Sequence, residues 1–354
     1  MKKMGRTVLG LGLIALTLNG CSQPSSAGES GTKGSDNLII GFSQHRIAGS
    51  DWYKMLIEGA KAQAEKQGVT ILVTDAGGDA VQQNSDIQNM MSRGAKGIVV
   101  NALDPRGIAN TVNELEKEGI PLVAVNTRLS PELEKKSYCF VAEDQLDTAA
   151  SAGKELARKI AQKYSKDEKV KLAVIGGYSG ESTTALRQEG FLKGFNGYFE
   201  ANPGHKIEIL PIRYGEWLPD KARVPVQQIA TANPDLKAVF SMSDVMHAGI
   251  EQGLREAGVL DKVIIVSYDG AMALAKKMMD EPNGPLQATV SNSPYLQGAT
   301  AVQMAIDAVK GNKTSCPGGA RYTENVLITP ENAKQFYDPN ISYYYSKESL
   351  TKLQ

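Results

Sequence analysis

Residues that could do chemistry are sparse in this chain. The run Gly177-Tyr178-Ser179-Gly180-Glu181 follows an apolar stretch and resembles a nucleophile elbow, but the glycine required two places after Ser179 is Glu181. No G-x-x-x-x-G-K-[ST] and no G-x-G-x-x-G after a strand is present, so nucleotide hydrolysis and dinucleotide redox lack their phosphate cradles. His45, His205 and His247 are far apart in sequence, with no H-x-x-x-H or C-x-x-C spacing to hold zinc. What remains is binding chemistry. Polar residues stand where apolar runs stop: Asn101 ends GIVVN, Asn126 ends LVAVN, Ser243 follows AVFSM, Asp269 ends VIIVSYD and Asn292 ends ATVSN. Each is either a ligand contact or a helix cap or turn former. One of the two tryptophans, Trp52, sits with Tyr53 between a strand-like run and a helix-like one. There it is either a ligand platform or a hydrophobic staple packed in the core.

The elements that must position these residues alternate. From Asn37 onward, apolar strand runs (LIIGFS, VTILVTDA, GIVVNA, IPLVAVNT, YCFVAE) are separated by amphipathic stretches of helical period. A second series follows Glu143: a helix to about Tyr164, KLAVIGG, a helix from Thr184 to about Asn202, KIEILPIR, a helix ending near Asn233, AVFSMS, a helix to Gly258, VIIVSYDG, a helix near Ala273, and QATVSN. Repeated βα units predict an α/β chain of two similar lobes, each a doubly wound parallel sheet. A length of 354 residues, 35 glycines and only seven phenylalanines suit that organisation. Lys+Arg and Asp+Glu balance at 39 each, which argues against a basic nucleic-acid surface but leaves local patches open.

The N-terminus reads separately. Basic Lys2, Lys3 and Arg6 precede the apolar run 8–18, too short for a stable membrane span, and Leu18-Asn19-Gly20-Cys21 resembles a bacterial lipoprotein box. The reading is a signal peptide over 1–20, lipid on Cys21, and a flexible Ser/Gly-rich tether over 21–37; the alternative is an ordinary signal peptide with a chance cysteine. Cys139 and Cys316 are then left in an oxidising compartment, either paired or as two free buried thiols.

The segments GFSQ with DWY behind it, GIVVNALDP, IPLVAVNTR, VAEDQLDTAASAG, GYSGESTTALRQEGF, AVFSMSDVMHAGIEQGLREAG, VIIVSYDG and ATVSNSPYLQGATAV together resemble the periplasmic sugar-binding proteins of the ribose-binding type, from Leu38 to about Ile328. The resemblance implies the type I periplasmic binding protein fold, with a three-segment hinge crossing near Ala142, Asn292 and Asn325. The implied division is 38–142 with 293–325 as the N-terminal lobe, and 143–292 with 326–354 as the C-terminal lobe. In that fold the first and third crossings run side by side, which would bring Cys139 and Cys316 together as a disulfide.

The resemblance also implies a site. Trp52 and Tyr53 would be stacking aromatics of the first lobe and Trp217 of the second, with Asn101, Asn126, Arg128, Arg187, Ser243, Asp269 and Asn292 around the ligand. Asp269 is expected to be the chief hydroxyl acceptor. Asn126 stands where the family commonly has Asp, and Arg128 falls one residue later than the family's arginine. His45 or Arg46 reaching the cleft would imply a ligand larger than a pentose or an anionic one. The implied function is a non-enzymatic, lipid-anchored, monomeric receptor that needs no cofactor, captures a sugar or polyol and hands it to ABC permease subunits. A sensor lipoprotein presenting its closed form to a membrane receptor is the alternative. A sugar-responsive repressor shares the core but requires a DNA-binding helix-turn-helix where this chain carries an export signal.

Overall fold

The computed structural model describes residues 38–353; the expected signal peptide, the tether and Cys21 lie outside the described residues. In chain order the described strands are β1 (Ile39–Gln44), β2 (Thr70–Asp75), β3 (Gly97–Asn101), β4 (Leu122–Val125), β5 (Cys139–Glu143), β6 (Lys169–Gly176), β7 (Lys206–Ile209), β8 (Arg213–Tyr214), β9 (Leu236–Ser241), β10 (Ile264–Asp269), β11 (Leu286–Ser291), β12 (Ala320–Thr323) and β13 (Leu327–Ile328). One sheet has the order β12-β5-β4-β3-β1-β2, the other β13-β11-β10-β9-β6-β7 with β8 also on β6. All pairings are parallel except β11 with β13. β3 and β4 are buried along their whole length, which is why they read as unbroken apolar runs: helices cover both faces of a parallel sheet.

The chain leaves the first sheet after Glu143 and enters helix Gln145–Lys163, which lies on helix Ser182–Ala201 and on β10 and β11. It returns through Asn292 and Ser293 into helix Pro294–Val309, which packs on helix Asp51–Lys66 and on β3 and β4. A third passage joins β12 to β13. The helix pair of the first lobe touches backbone to backbone. A Cβ on Gly298 would lie 1.9 Å from Leu56 O and one on Gly59 2.0 Å from Tyr295 O, so only glycine permits this approach.

The end of the chain departs from the expected division. Tyr343 bridges Ala271, and Met272 N–H donates to Ser342 O, both within the second lobe. Beyond them Tyr345 stacks on Tyr295 with ring centroids 4.6 Å apart, Leu353 packs on Leu296 and Ala299, and Lys66 Nζ donates to Leu353 O at 2.7 Å. The tail was expected to stay on the second lobe through 354. Apolar surface on helix Pro294–Val309 draws its last turn back to the first.

Cys139, at the start of β5, and Cys316, ahead of β12, are joined by a disulfide with Cα atoms 5.9 Å apart. Because β12 runs beside β5 from Ala320↔Phe140 to Thr323↔Glu143, the bridge lies within the first lobe, at the end of β5 opposite Glu143.

Candidate functional site

The strand ends of the two sheets face one another across a cavity holding about 340 Å³ of empty space, mouth included. Ser50, Trp52, Tyr53 and Asn126 line it from the first lobe; Glu181, Thr183, Arg187, Trp217, Ser243, Val245 and Asp269 line it from the second.

Ser50 caps helix Asp51–Lys66 by accepting from Tyr53 N–H, which puts Trp52 and Tyr53 in the first turn at the cavity wall. Their rings meet edge to face at 5.3 Å, and Trp52 Nε1–H donates to Asn292 Oδ1 at 2.8 Å. Trp217 faces them from the other lobe. Its backbone and that of Glu216 are left-handed, with φ of 58° and 50°. The turn seats the indole on Gly177, where a Cβ would fall 1.8 Å from Trp217 Cε2. Among the described non-glycine residues, positive φ occurs at Asn126, Glu216, Trp217, Asp269 and Ser293, and three of these line the cavity. Each such backbone costs on the order of 1–3 kcal/mol, which the surrounding fold must overcome to aim the side chain.

Behind the aromatic faces lies a buried charge network. Arg187 is 3% exposed; Nη1 donates to Met242 O at 2.6 Å and Asp269 Oδ1 at 3.2 Å, and Nη2 to Glu143 Oε1 at 3.4 Å. Its guanidinium carbon lies 3.9 Å from the centre of the Tyr268 ring. Glu143 also accepts from Tyr268 Oη and Gln297 Nε2, so this one carboxylate joins the first passage to groups on both sides. Asp269 receives four donors: Arg187 Nη1 and Asn292 Nδ2 at Oδ1, Ser243 Oγ and Asp244 N–H at Oδ2.

Burial pushes Asp269 up to about 6 despite Arg187. Burial, with the nearby Asp269 charge, pushes Asp244 to about 8, although Ala271 N–H and Thr289 Oγ1 donate to it. Glu181 is raised to about 7 by burial, opposed by the Trp217 indole N–H that donates to its Oε2 at 2.8 Å and by Arg187.

Of the residues expected at the site, Trp52, Tyr53, Asn126, Arg187, Trp217, Ser243 and Asp269 line the cavity, and three do not. Asn101 donates to Gln44 Oε1, its register partner on β1, and so ties two strand ends together. Arg128 is turned away: Nη1 pairs with Glu134 at 2.9 Å, Nη2 donates to Tyr322 Oη, and the guanidinium lies over the Phe140 ring. The left-handed Asn126 turns the chain just before it. Asn292 stands one layer back, between Trp52 and Asp269. His45 is buried edge-on against Tyr53 and Arg46 lies against Gly78; neither lines the cavity.

Sequence reasoning missed Ser50, Glu181, Thr183 and Val245 on the wall, and Glu143 and Asp244 behind it. Helix Ser182–Ala201 starts two residues earlier than its apolar period suggests, which makes Glu181 its N-cap rather than a loop residue. The position of GESTT in the short connection after β6 was the available signal.

Two parallel-sheet lobes closing strand ends around an aromatic and polar cavity constitute the type I periplasmic binding protein fold. The model of the periplasmic binding protein domain family matches residues 40–313, and the chain belongs to that family, as a member of the ribose type. It is 25% identical to the ribose import binding protein of Bacillus subtilis over 88% of this chain and 95% of that one. It is 28% identical to the D-apiose import binding protein of Actinobacillus succinogenes over 80% and 86%. Among solved structures, an ABC transporter solute-binding protein of Mycobacterium smegmatis with bound glycerol superposes with a TM-score of 0.77 at 27% identity, covering 88% of this chain and all of that one. The family is one of binding proteins rather than enzymes.

Proposed function

We propose that this chain is an extracytoplasmic solute-binding lipoprotein that captures a monosaccharide or similar polyol between its lobes and delivers it to an ABC importer. One observation carries the reading: Asn126 Oδ1, Thr183 Oγ1 and Arg187 Nε are buried without a protein partner, and all three residues line the cavity between the aromatic faces. An unpaired buried polar atom costs roughly 1–3 kcal/mol, and a polyhydroxylated ligand supplies both donors and acceptors. Trp52, Tyr53 and Trp217 offer flat faces for its C–H patches. Even with its mouth included the cavity holds only about 340 Å³ of empty space, which favours a single sugar ring over an oligosaccharide.

The mechanism follows from the division of the wall between lobes. A ligand touching both lobes binds the closed arrangement more tightly than an open one, so binding shifts the hinge toward closure, and the permease reads the closed shape. The relatives are named as import binding proteins for ribose and apiose, which supports this role. The protein works as a monomer held to the membrane by lipid on Cys21, with 38–142 and 293–325 as one moving body and 143–292 as the other.

A thermal-shift screen over monosaccharides and polyols tests capture: a ligand bound only by the native state raises the melting temperature, and a flat response across the panel sinks the reading. Cys21→Ser tests anchoring, and mature protein still in the membrane fraction would overturn the lipid assignment.

A further inference from the structure

The two carboxylates on the cavity wall are not equivalent. Asp269 accepts two donors at each oxygen, all from the protein, so its hydrogen-bonding capacity is filled before a ligand arrives. Glu181 accepts side-chain donors only at Oε2, from Trp217 Nε1 at 2.8 Å and Thr184 Oγ1 at 3.3 Å. The backbone N–H of Tyr178 also favours its charge, but Oε1 takes part in no side-chain hydrogen bond among the described residues. The one guanidinium on the wall, Arg187, donates to Asp269 and to Glu143 and makes no hydrogen bond to Glu181. A carboxylate with an open acceptor oxygen thus stands at the cavity beside an arginine already committed to two others.

We infer that Glu181, rather than Asp269, is the charge-assisted acceptor for the ligand, and that it selects a neutral or ammonium-bearing polyol while excluding sugar acids. This rests on the sugar-capture reading and deepens it. A hydroxyl or ammonium donor would complete the open valence of Oε1, while Asn126 and Arg187 Nε address other edges of the same ring. A ligand carboxylate would meet Glu181 with no uncompensated cation on the wall, because the single positive charge of Arg187, whose Nε still faces the ligand, is already balanced by Asp269 and Glu143. Asp269 is then a positioning residue that fixes Arg187 and Ser243.

The test is calorimetric titration at about pH 8.5, where the Glu181 carboxyl is ionised, of wild-type protein and Glu181→Gln with D-ribose, D-allose, myo-inositol, D-glucosamine and D-glucuronate, with melting curves recorded for both proteins. Glutamine keeps an acceptor for the Trp217 indole, so the aromatic face stays seated. The expected result is that a neutral or amino probe binds wild type, that D-glucuronate does not, and that Glu181→Gln weakens the bound probe about tenfold or more. Should Glu181→Gln melt early, Glu181→Asp, which keeps the charge but withdraws it from the cavity, is measured instead and should show the same loss. Equal affinity in wild type and variant, or tightest wild-type binding of D-glucuronate, overturns the inference while leaving sugar capture standing. No binding of any probe to wild type removes both.

Discussion

Behind the cavity wall Trp52 Nε1–H donates to Asn292 Oδ1 at 2.8 Å, and Asn292 Nδ2 in turn donates to Asp269 Oδ1 at 2.9 Å. The first-lobe platform is therefore wired to the second-lobe carboxylate through a residue on the second passage between the lobes. Its ring and its N–H do separable work. Trp52→Phe keeps an aromatic face and strands Asn292 Oδ1, at a cost of about 1 kcal/mol in affinity; Trp52→Ala removes the face as well and should cost roughly 1–3 kcal/mol more. Titration of both variants with the screened sugar checks the order, and equal losses would mean that the ring does not touch the ligand.

Asp269 should matter first to the fold. It is 2% exposed and holds Arg187, Ser243 and the Asp244 amide in place. Asp269→Ala leaves those donors facing a void and removes one of the two carboxylates paired with Arg187, so ligand-free stability should fall by on the order of 3 kcal/mol. Chemical denaturation without ligand measures this. A variant as stable as wild type but unable to bind would return Asp269 to the role of direct acceptor.

Acidification should stabilise the ligand-free protein over a defined window. Asp244, facing Asp269, titrates near 8, and Glu181, facing Tyr53, Tyr178 and Arg187, titrates near 7, both raised by burial. Between about pH 8.5 and 6.5 these groups are ionised in the unfolded chain while the folded chain takes up protons, so stability rises as pH falls. His45, lowered by burial to about 4, works in the opposite sense as the unfolded imidazole takes up its proton around 6.5, so it offsets a little of the gain at the acid end of this window and more below it. Melting temperatures at the two ends read the effect, and Asp244→Asn should flatten the slope. A melting temperature that drops on acidification to pH 6.5 would contradict the assignment.

The Cys139–Cys316 bridge closes a long loop, with 177 residues of sequence separation, yet lies inside one lobe. Replacing both cysteines by alanine should lower unfolding free energy by roughly 2–4 kcal/mol and leave sugar affinity unchanged. A large change in affinity would show that the bridge also sets the closed geometry.

Much of this was legible in the chain, for local reasons. Alternating apolar runs define the strands, and polar residues at their ends, Asn126 and Asp269 among them, mark the face where a cleft must lie. Arg128 was misplaced because the left-handed Asn126 redirects the chain within two residues, and nothing in the local pattern encodes that turn. The division of labour between Asp269 and Glu181 was out of reach for another reason. Which oxygens remain free depends on donors brought together from distant parts of the chain, such as Arg187 and Asn292 on Asp269. The returning tail was equally hidden, since Leu353 shows its partner only once helix Pro294–Val309 is in place.

The chain has only two tryptophans, and both stand on the cavity wall, Trp52 bonded to Asn292 and Trp217 to Glu181. Its tryptophan emission therefore originates wholly at the cavity. A solute that displaces water from those indoles or alters either hydrogen bond changes their colour and brightness, with no unrelated tryptophan elsewhere to dilute the signal. The unlabelled protein is thus an optical reporter of its own occupancy.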